Sequence, residues 1–385
     1  MGRLVFIGLS ITSSWGNGHA TTYRGLIRAL ARRGHEVLFL ERDAPWYAAN
    51  RDLPEPPYCR TILYRDLDDL QERGDKAVRE ADAVIVGSYV SDGIEVGRWA
   101  IERASGPVAF YDIDTPVTLA KLDAGTADYI DDALVHDYDL YLSFSGGPTL
   151  RRLEAMGSPR AAALYCSVDS HVHGPVIVEP SWRLGYLGTY SADRQPLLSA
   201  LLLEPATRLG ASAFVVAGPQ YPPGIEWPVN VRHIEHLPPG EHAAFYCAQD
   251  FTLNITRADM KAAGHSPSVR LFEAAACGVP VITDPWPGLE EFFRAGDQIL
   301  VAEAADDVVA ILERVSPEKR RALATAARSA VLARHTCDHR AAELEALLQT
   351  SARNRRRDQR LIPGHLLSGN AGQAAPLVKA PTGDA

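Results

Sequence analysis

The chain has 385 residues, enough for two domains of ordinary size, each with its own core. An apolar fraction of 46% and a charged fraction of 23% describe a globular protein, and a formal charge of −9 lacks the basic excess of a nucleic-acid binder. Five cysteines (Cys59, Cys166, Cys247, Cys277 and Cys337) are scattered without a C-x-x-C pair. They predict reduced thiols in a cytoplasm, not a disulfide framework or a zinc site. The opening apolar run, residues 4–9, is too short for a signal-peptide core, and no later run predicts a membrane span.

In chain order, apolar runs predict strands over residues 4–9, 36–40, 83–86, 108–112, 140–144 and 163–166. Helical spacing lies between them, as in residues 21–33, which stop at Gly34. Strand and helix alternating in this way predict a doubly wound parallel sheet. Residues 167–182, with Gly174, Pro175 and Pro180, break the pattern and read as a hinge. A second series follows at 184–187, 213–217, 231–234, 251–255, 279–283 and 299–301, with helical sequence to about residue 350. The loops 46–65 and 121–137 are expected to shape an acceptor pocket. From Ser351 the polar composition, with its Arg355–Arg357 run, predicts a disordered tail over 351–385.

Glycine-bearing turns that follow strands and open helices bring backbone close to a ligand at a sheet's carboxyl edge. The first turn carries Gly16, Asn17 and Gly18 ahead of His19. Its spacing is not G-x-G-x-x-G, and Glu41 only approximates a dinucleotide site's carboxylate, so a nicotinamide cofactor is not expected. Asp112 and Asp114 end the strand 108–112 and suit acceptor binding or catalysis, Asp114 more so. A divalent ion or a helix cap are their other uses. The second-domain turn holds Gly188, Thr189, Tyr190 and Arg194. Arg194 can grip a diphosphate and offset leaving-group charge, or pair with Asp193 at the surface. Gly218 and Arg257 end two further strands at the same edge.

Residues 263–293 are the most informative stretch. Ser266 is expected to cap a helix with Pro267 in its first position, Gly278 to stop it, and Pro280 to prevent its return. Such a helix N-terminus, with Ser266 and Ser268 beside it, suits phosphate. Glu273, about two turns along, can accept hydrogen bonds from ribose hydroxyls. Phosphate at the end and sugar along the side indicate a nucleotide diphosphate. Apolar and small neighbours, Phe272 and Ala274–Ala276, mean that this charge needs a partner. His171, His173, His233, His236 and His242 form no H-x-x-x-H pair and read as structural or surface residues. No G-x-S-x-G elbow is present.

At these residues the chain resembles the group 1, glycogen-synthase-like glycosyltransferases of the GT-B fold, and among them the CgeB-like spore-maturation branch. The likeness rests on LGTYSADRQP (187–196), VAGPQYP (216–222), LNITRADM (253–260) and the 263–293 stretch. SWGNGHATTYRGL (14–26) and FYDIDTP (110–116) support it, and it spans residues 3–348. The resemblance implies an α/β fold of two Rossmann-like domains with parallel sheets facing across a cleft. Residues 1–175 would bind the acceptor, residues 176–350 the nucleotide sugar. By position, Glu273 matches the ribose-holding glutamate, Arg194 the basic residue on the diphosphate, and Ser266 and Ser268 the groups meeting phosphate or sugar. Gly188, Thr189, Tyr190, Gly218 and Arg257 complete the donor side. Gly16, Asn17, Gly18, Asp112 and Asp114 form the acceptor side, and Asp114, His19 and Arg194 are the catalytic candidates. One departure stands out: the first glutamate of the family's E-x7-E pattern is His265 here, with Glu290 or Glu291 as substitutes. The resemblance implies no metal or cofactor. The expected activity is metal-independent transfer of a sugar, hexosyl by type, from a nucleotide-diphosphate donor to an unidentified acceptor hydroxyl in the cytoplasm. An epimerase or hydrolase on the same scaffold, and a non-catalytic nucleotide- or sugar-binding subunit, are the alternatives.

Overall fold

The computed structural model describes residues 2–16 and 18–361, with side chains as far as residue 352. Two all-parallel sheets organise it. The first contains β1 (Arg3–Gly8), β2 (Glu36–Arg42), β3 (Arg60–Tyr64), β4 (Ala83–Gly87), β5 (Val108–Asp112), β6 (Leu140–Ser143) and β7 (Ala161–Ala163), in the order 3-2-1-4-5-6-7. The second contains β8 (Trp182–Leu187), β9 (Phe214–Ala217), β10 (Val231–Ile234), β11 (Gln249–Asn254), β12 (Val281–Thr283) and β13 (Leu300–Val301), in the order 10-9-8-11-12-13. Strands β4, β5 and β6 are buried at every position, which is why they read as unbroken apolar runs. In each sheet the chain order reverses beside one central strand, β1 or β8. The crevice beyond the carboxyl ends of such strands is where ligands bind in this architecture.

The structure alters four expectations. Strand β3 falls within residues 46–65, expected as loop; it lies at the sheet edge, and only Tyr64 is fully buried, so its apolar signal is weak. Strand β7 sits two residues earlier than expected, and β12 begins at Val281. The final helix, Cys337–Leu361, runs through position 350 into the expected tail, and Ser351 on it is buried. Its reason is a stripe of Cys337, Ala341, Leu344 and Leu348 in one apolar cluster with Leu26 and Leu30 of the helix His19–Arg32, against which it packs, and with first-sheet residues such as Ala83. The chain therefore returns to the first domain, and residues 337–350 belong there by packing. Arg355–Arg357 lie on this helix, their side chains outside the described residues, as are residues 362–385 altogether.

Both passages of the chain between domains are bonded to each other. Val168 donates its N–H to the His335 carbonyl at 3.0 Å, and Cys337 donates to the Val168 carbonyl at 2.9 Å. Asp169 forms an ion pair with Arg28 on the first helix, His19–Arg32. That helix meets the last one so closely that a Cβ at Gly25 would lie 2.5 Å from Cys337 Sγ. Gly25→Ala should lower unfolding stability by about 1–3 kcal/mol through overpacking. Adding Cys337→Ala should restore most of the loss, as read by chemical denaturation.

Candidate active site

The first wall of the cleft is the loop after β1, held from beneath by a buried carboxylate. Glu41 accepts the N–H groups of Ile11 at 2.7 Å and Thr12 at 3.0 Å, with the Thr12 hydroxyl at 2.6 Å. A dinucleotide site would keep this carboxylate free for a ribose; here the protein's own loop consumes it. Farther out, Asp52 clamps Ser14 and takes both Arg24 nitrogens at 2.8 and 2.9 Å. Burial would raise the Asp52 pKa, but Arg24 and the Ser14 donors hold it down to about 2. Gly16, with φ of 67°, and Gly18 are exposed at the cleft mouth. Asn17 lies outside the described residues. His19 follows as the first helical residue, its ring 5.5 Å from that of Tyr89, and burial pulls its pKa down to about 4.

The second wall is built around close backbone approach. A Cβ at Gly218, where φ is 147°, would lie 2.1 Å from the Gly188 carbonyl oxygen, so only glycine lets the ends of β8 and β9 meet. Gly188 and Thr189 line the cleft here, whereas Tyr190 packs its ring 5.6 Å from Tyr221. Above this turn lies Arg270, which sequence reasoning missed. Its Nε donates to the Leu187 carbonyl, its Nη1 donates to Asn254 Oδ1 at 2.8 Å, and its guanidinium covers the Tyr186 ring at 4.7 Å. Arg194 donates Nη2 to the Thr189 carbonyl at 2.7 Å, while its buried Nε has no partner. Burial lowers the Arg194 pKa, and the nearby charges of Arg270 and Arg257 lower it further. Among the described residues neither Arg194 nor Arg270 has a carboxylate ion pair. Positive charge without a counter-ion, at the carboxyl edge of a sheet, suits an oxyanion.

The helix bearing Glu273 spans Val269–Ala276, with Ser268 at its N-cap. Ser266 and Pro267 therefore precede it, correcting the expected start. Ser266 is 2% exposed and bonded at 2.9 Å to Ser145 of the first domain, so it joins the domains instead of meeting a ligand. The stop is as expected: Gly278 has φ of 76°, with its N–H to Ala275 O at 3.0 Å and that of Val279 to Ala274 O at 3.1 Å. Glu273 is buried yet lines the cleft, and Tyr246 donates its hydroxyl to Glu273 Oε2 at 3.0 Å. Burial alone would raise the Glu273 pKa, but His173, His242, Tyr246 and Arg270 together hold it below the usual range.

Two of those partners, His173 and His242, are histidines that sequence reading left as structural or surface residues. They line the cleft together with Glu273. The cleft divides into adjoining chambers of about 610 and 220 Å³, which share Ser14, Thr21, His236, Pro239, His242 and Glu273.

Asp112 is wholly buried and accepts from Tyr141 at 2.6 Å and Thr118 at 2.8 Å; burial pushes its pKa up to about 6. It anchors the turn from within and faces no acceptor. Asp114 reaches across the cleft to Arg257, 3.3 Å away, and takes the Tyr89 hydroxyl at 3.3 Å. These commitments leave the two aspartates no shared open face for a divalent ion. His265 has φ of 47° and bonds Glu291 at 2.9 Å, so Glu291 rather than Glu290 stands beside the departed glutamate's position.

Residues 194–346, less than half of the chain, match the family described as Glycosyl transferase-like. No curated protein sequence matches the chain. Among solved structures it is similar to a sucrose-phosphate synthase from Thermosynechococcus elongatus, at 16% identity and a TM-score of 0.66, covering 91% of this chain and 99% of that one. It is also similar to Anabaena HepE in complex with UDP-glucose, at 12% identity and 0.67, covering 91% and 100%. An α-glucosyltransferase in complex with UDP and a 13-mer DNA aligns at 11% identity and 0.66, covering 91% and 100%. Two parallel sheets facing across a cleft, superposing on these proteins over nearly their whole length, constitute the GT-B fold.

Proposed function

We propose that the chain is a glycosyltransferase that moves a sugar from a nucleotide-diphosphate donor to an acceptor hydroxyl. The observation that carries this reading is the placement of Arg270, whose direct partners are all neutral, beside the buried carboxylate of Glu273 on one helix that lines the smaller chamber, with Arg194 near Arg270. In this reading the arginines and the N–H groups at Ser268–Val269 take the diphosphate, while Glu273, oriented by Tyr246, takes the ribose hydroxyls. The UDP named with HepE and with the α-glucosyltransferase makes UDP-sugars the first donors to test. Hexosyl transfer and likeness to the CgeB-like branch are the finer form of the proposal. Transfer proceeds without metal, because side-chain charge and helix N–H groups supply the stabilisation of the departing diphosphate.

The acceptor binds on the first-domain side, beside the contact of Asp114 with Arg257 between the lobes. Asp114 serves as its base. In the resting protein burial raises the Asp114 pKa and Arg257 restrains the rise. A diphosphate that draws Arg257 to itself removes this restraint and makes Asp114 a stronger base. His19, neutral above about pH 4, is too weakly basic for that task and acts as a hydrogen-bonding neighbour.

Calorimetry with UDP and a panel of UDP-, GDP-, TDP- and ADP-sugars tests the site. Glu273→Ala, Arg194→Ala and Arg270→Gln should each weaken nucleotide binding about tenfold or more, the scale of a lost charge-assisted hydrogen bond. Affinity unchanged in all three rejects the assignment. Sugar turnover that proceeds without any acceptor rejects transfer in favour of epimerisation or hydrolysis. A separate test concerns His19, whose pKa falls from 6.5 to about 4 on folding. The unfolded chain takes up a proton below 6.5 that the folded chain refuses, so stability from this group is full above 6.5 and lost as pH falls towards about 4. His19→Gln should flatten that part of the stability–pH curve measured by denaturant unfolding.

A further inference from the structure

The cluster of His173, His242 and Glu273 has a chemistry that ribose binding does not require. One ligand atom from each of the three lies within 4.8 Å of the others, and His173 Nε2 is 3.6 Å from Glu273 Oε1. Ligands of a tetrahedral zinc ion, at bonds of about 2.0–2.2 Å, lie about 3.3–3.6 Å apart. The gap to close is therefore a small side-chain rotation.

His173 is 5% exposed, and neither of its ring nitrogens has a hydrogen-bond partner among the described residues. A buried imidazole left in this state is costly, and a ligand is one way to satisfy it. His242 places Nε2 at 3.3 Å from the Leu237 carbonyl and leaves its buried Nδ1 without a partner. When Nε2 carries the proton and donates to that carbonyl, Nδ1 presents a lone pair, the usual support for a metal-bound histidine. Glu273 is arranged in the same way, with Oε2 taken by Tyr246 and Oε1 turned to His173. His242 and Tyr246 are one turn apart on the helix His242–Cys247, so one face of it serves both the carboxylate and the cation. All three side chains border the 610 Å³ chamber, which leaves a fourth position open to solvent.

We infer that His173, His242 and Glu273 form a site for a zinc-type divalent cation that competes with the nucleotide for Glu273. Two imidazoles favour zinc over magnesium or calcium, which take oxygen ligands. Competition rests on the ribose role proposed above, because Oε1 cannot accept ribose hydroxyls while it coordinates the ion. The cation is then an antagonist of donor binding and not a participant in transfer.

The test uses the full chain stripped with a chelator and titrated calorimetrically with zinc chloride alone. One equivalent should bind, and His173→Gln and His242→Gln should each weaken it about tenfold or more, the scale on which such sites respond. Cobalt chloride should give visible d–d bands that both substitutions abolish, with circular dichroism confirming that the variants are folded. UDP affinity should fall when zinc is present and recover with chelator. Failure to bind zinc, or binding that survives both substitutions, overturns the site. Zinc binding through both histidines with UDP affinity unchanged overturns the competition. Glu273→Ala that loses zinc but keeps full UDP affinity overturns the ribose assignment, and the competition with it, while the zinc site stands, so the site and the donor reading fail separately.

Discussion

The cleft depends on one buried charge whose direct partners are all neutral groups. Arg270 is 7% exposed, and its guanidinium rests on the Leu187 carbonyl, the Asn254 side-chain carbonyl and the face of Tyr186. These partners tie the helix Val269–Ala276 to the carboxyl ends of β8 and β11. They orient the charge without neutralising it, so its desolvation is only partly offset until an anion arrives. The same constraint sets the backbone around it. A Cβ at Gly188 would stand 2.8 Å from Arg270 Nη2, and Gly218 must then pass against Gly188. A side chain at Gly188 meets the guanidinium, and one at Gly218 meets the Gly188 backbone.

The two domains meet at the cleft through few direct bonds. Gly146 donates to the His265 carbonyl at 2.9 Å, Ser145 bonds Ser266, and Arg257 bonds Asp114. At the opposite end the two crossings are bonded to each other, and the last helix is fixed to the first domain, with Arg33 placing two nitrogens on Glu345 at 2.7 and 2.6 Å. Arg33 and His35 hold the Glu345 pKa down to about 2. Apolar packing joins the lobes as well, with the Tyr165 ring 4.9 Å from that of Phe292.

The sheets were legible because parallel strands buried on both faces announce themselves as apolar runs, and because Gly34 and Gly278 stop their helices in the left-handed conformation. Glu273 was legible for a related reason, as a charge in an apolar helix face. Arg270 was legible in principle: it precedes Glu273 by three residues, so both share a face. Ser266 misled, since Ser-Pro is a good helix opening and only the bond to Ser145 shows that the segment serves the domain boundary. Asp112 and Asp114 look equivalent in sequence, yet one ends inside β5 with its oxygens filled and the other one turn later reaches the cleft. His173 and His242 gave no local signal. They come from the hinge and from a helix far along the chain, and only the fold brings them to Glu273.

His265 shows how a departure from a family pattern is built in. A Cβ at Gly147 would lie 2.4 Å from its ring, and one at Gly288 would lie 2.6 Å from it. Both glycines have positive φ, as does His265 itself, so the two domains are shaped around an imidazole at this point. A glutamate restored here would lose the ring that fills the gap between the glycines. It would also bring a second negative charge against Glu291, which now bonds the ring at 2.9 Å. An acidic group stands beside His265 all the same, in the turn after β12, where Glu291 bonds the imidazole. His265 is thus half of a pair with Glu291, and the glycines on either side of its ring make room for it.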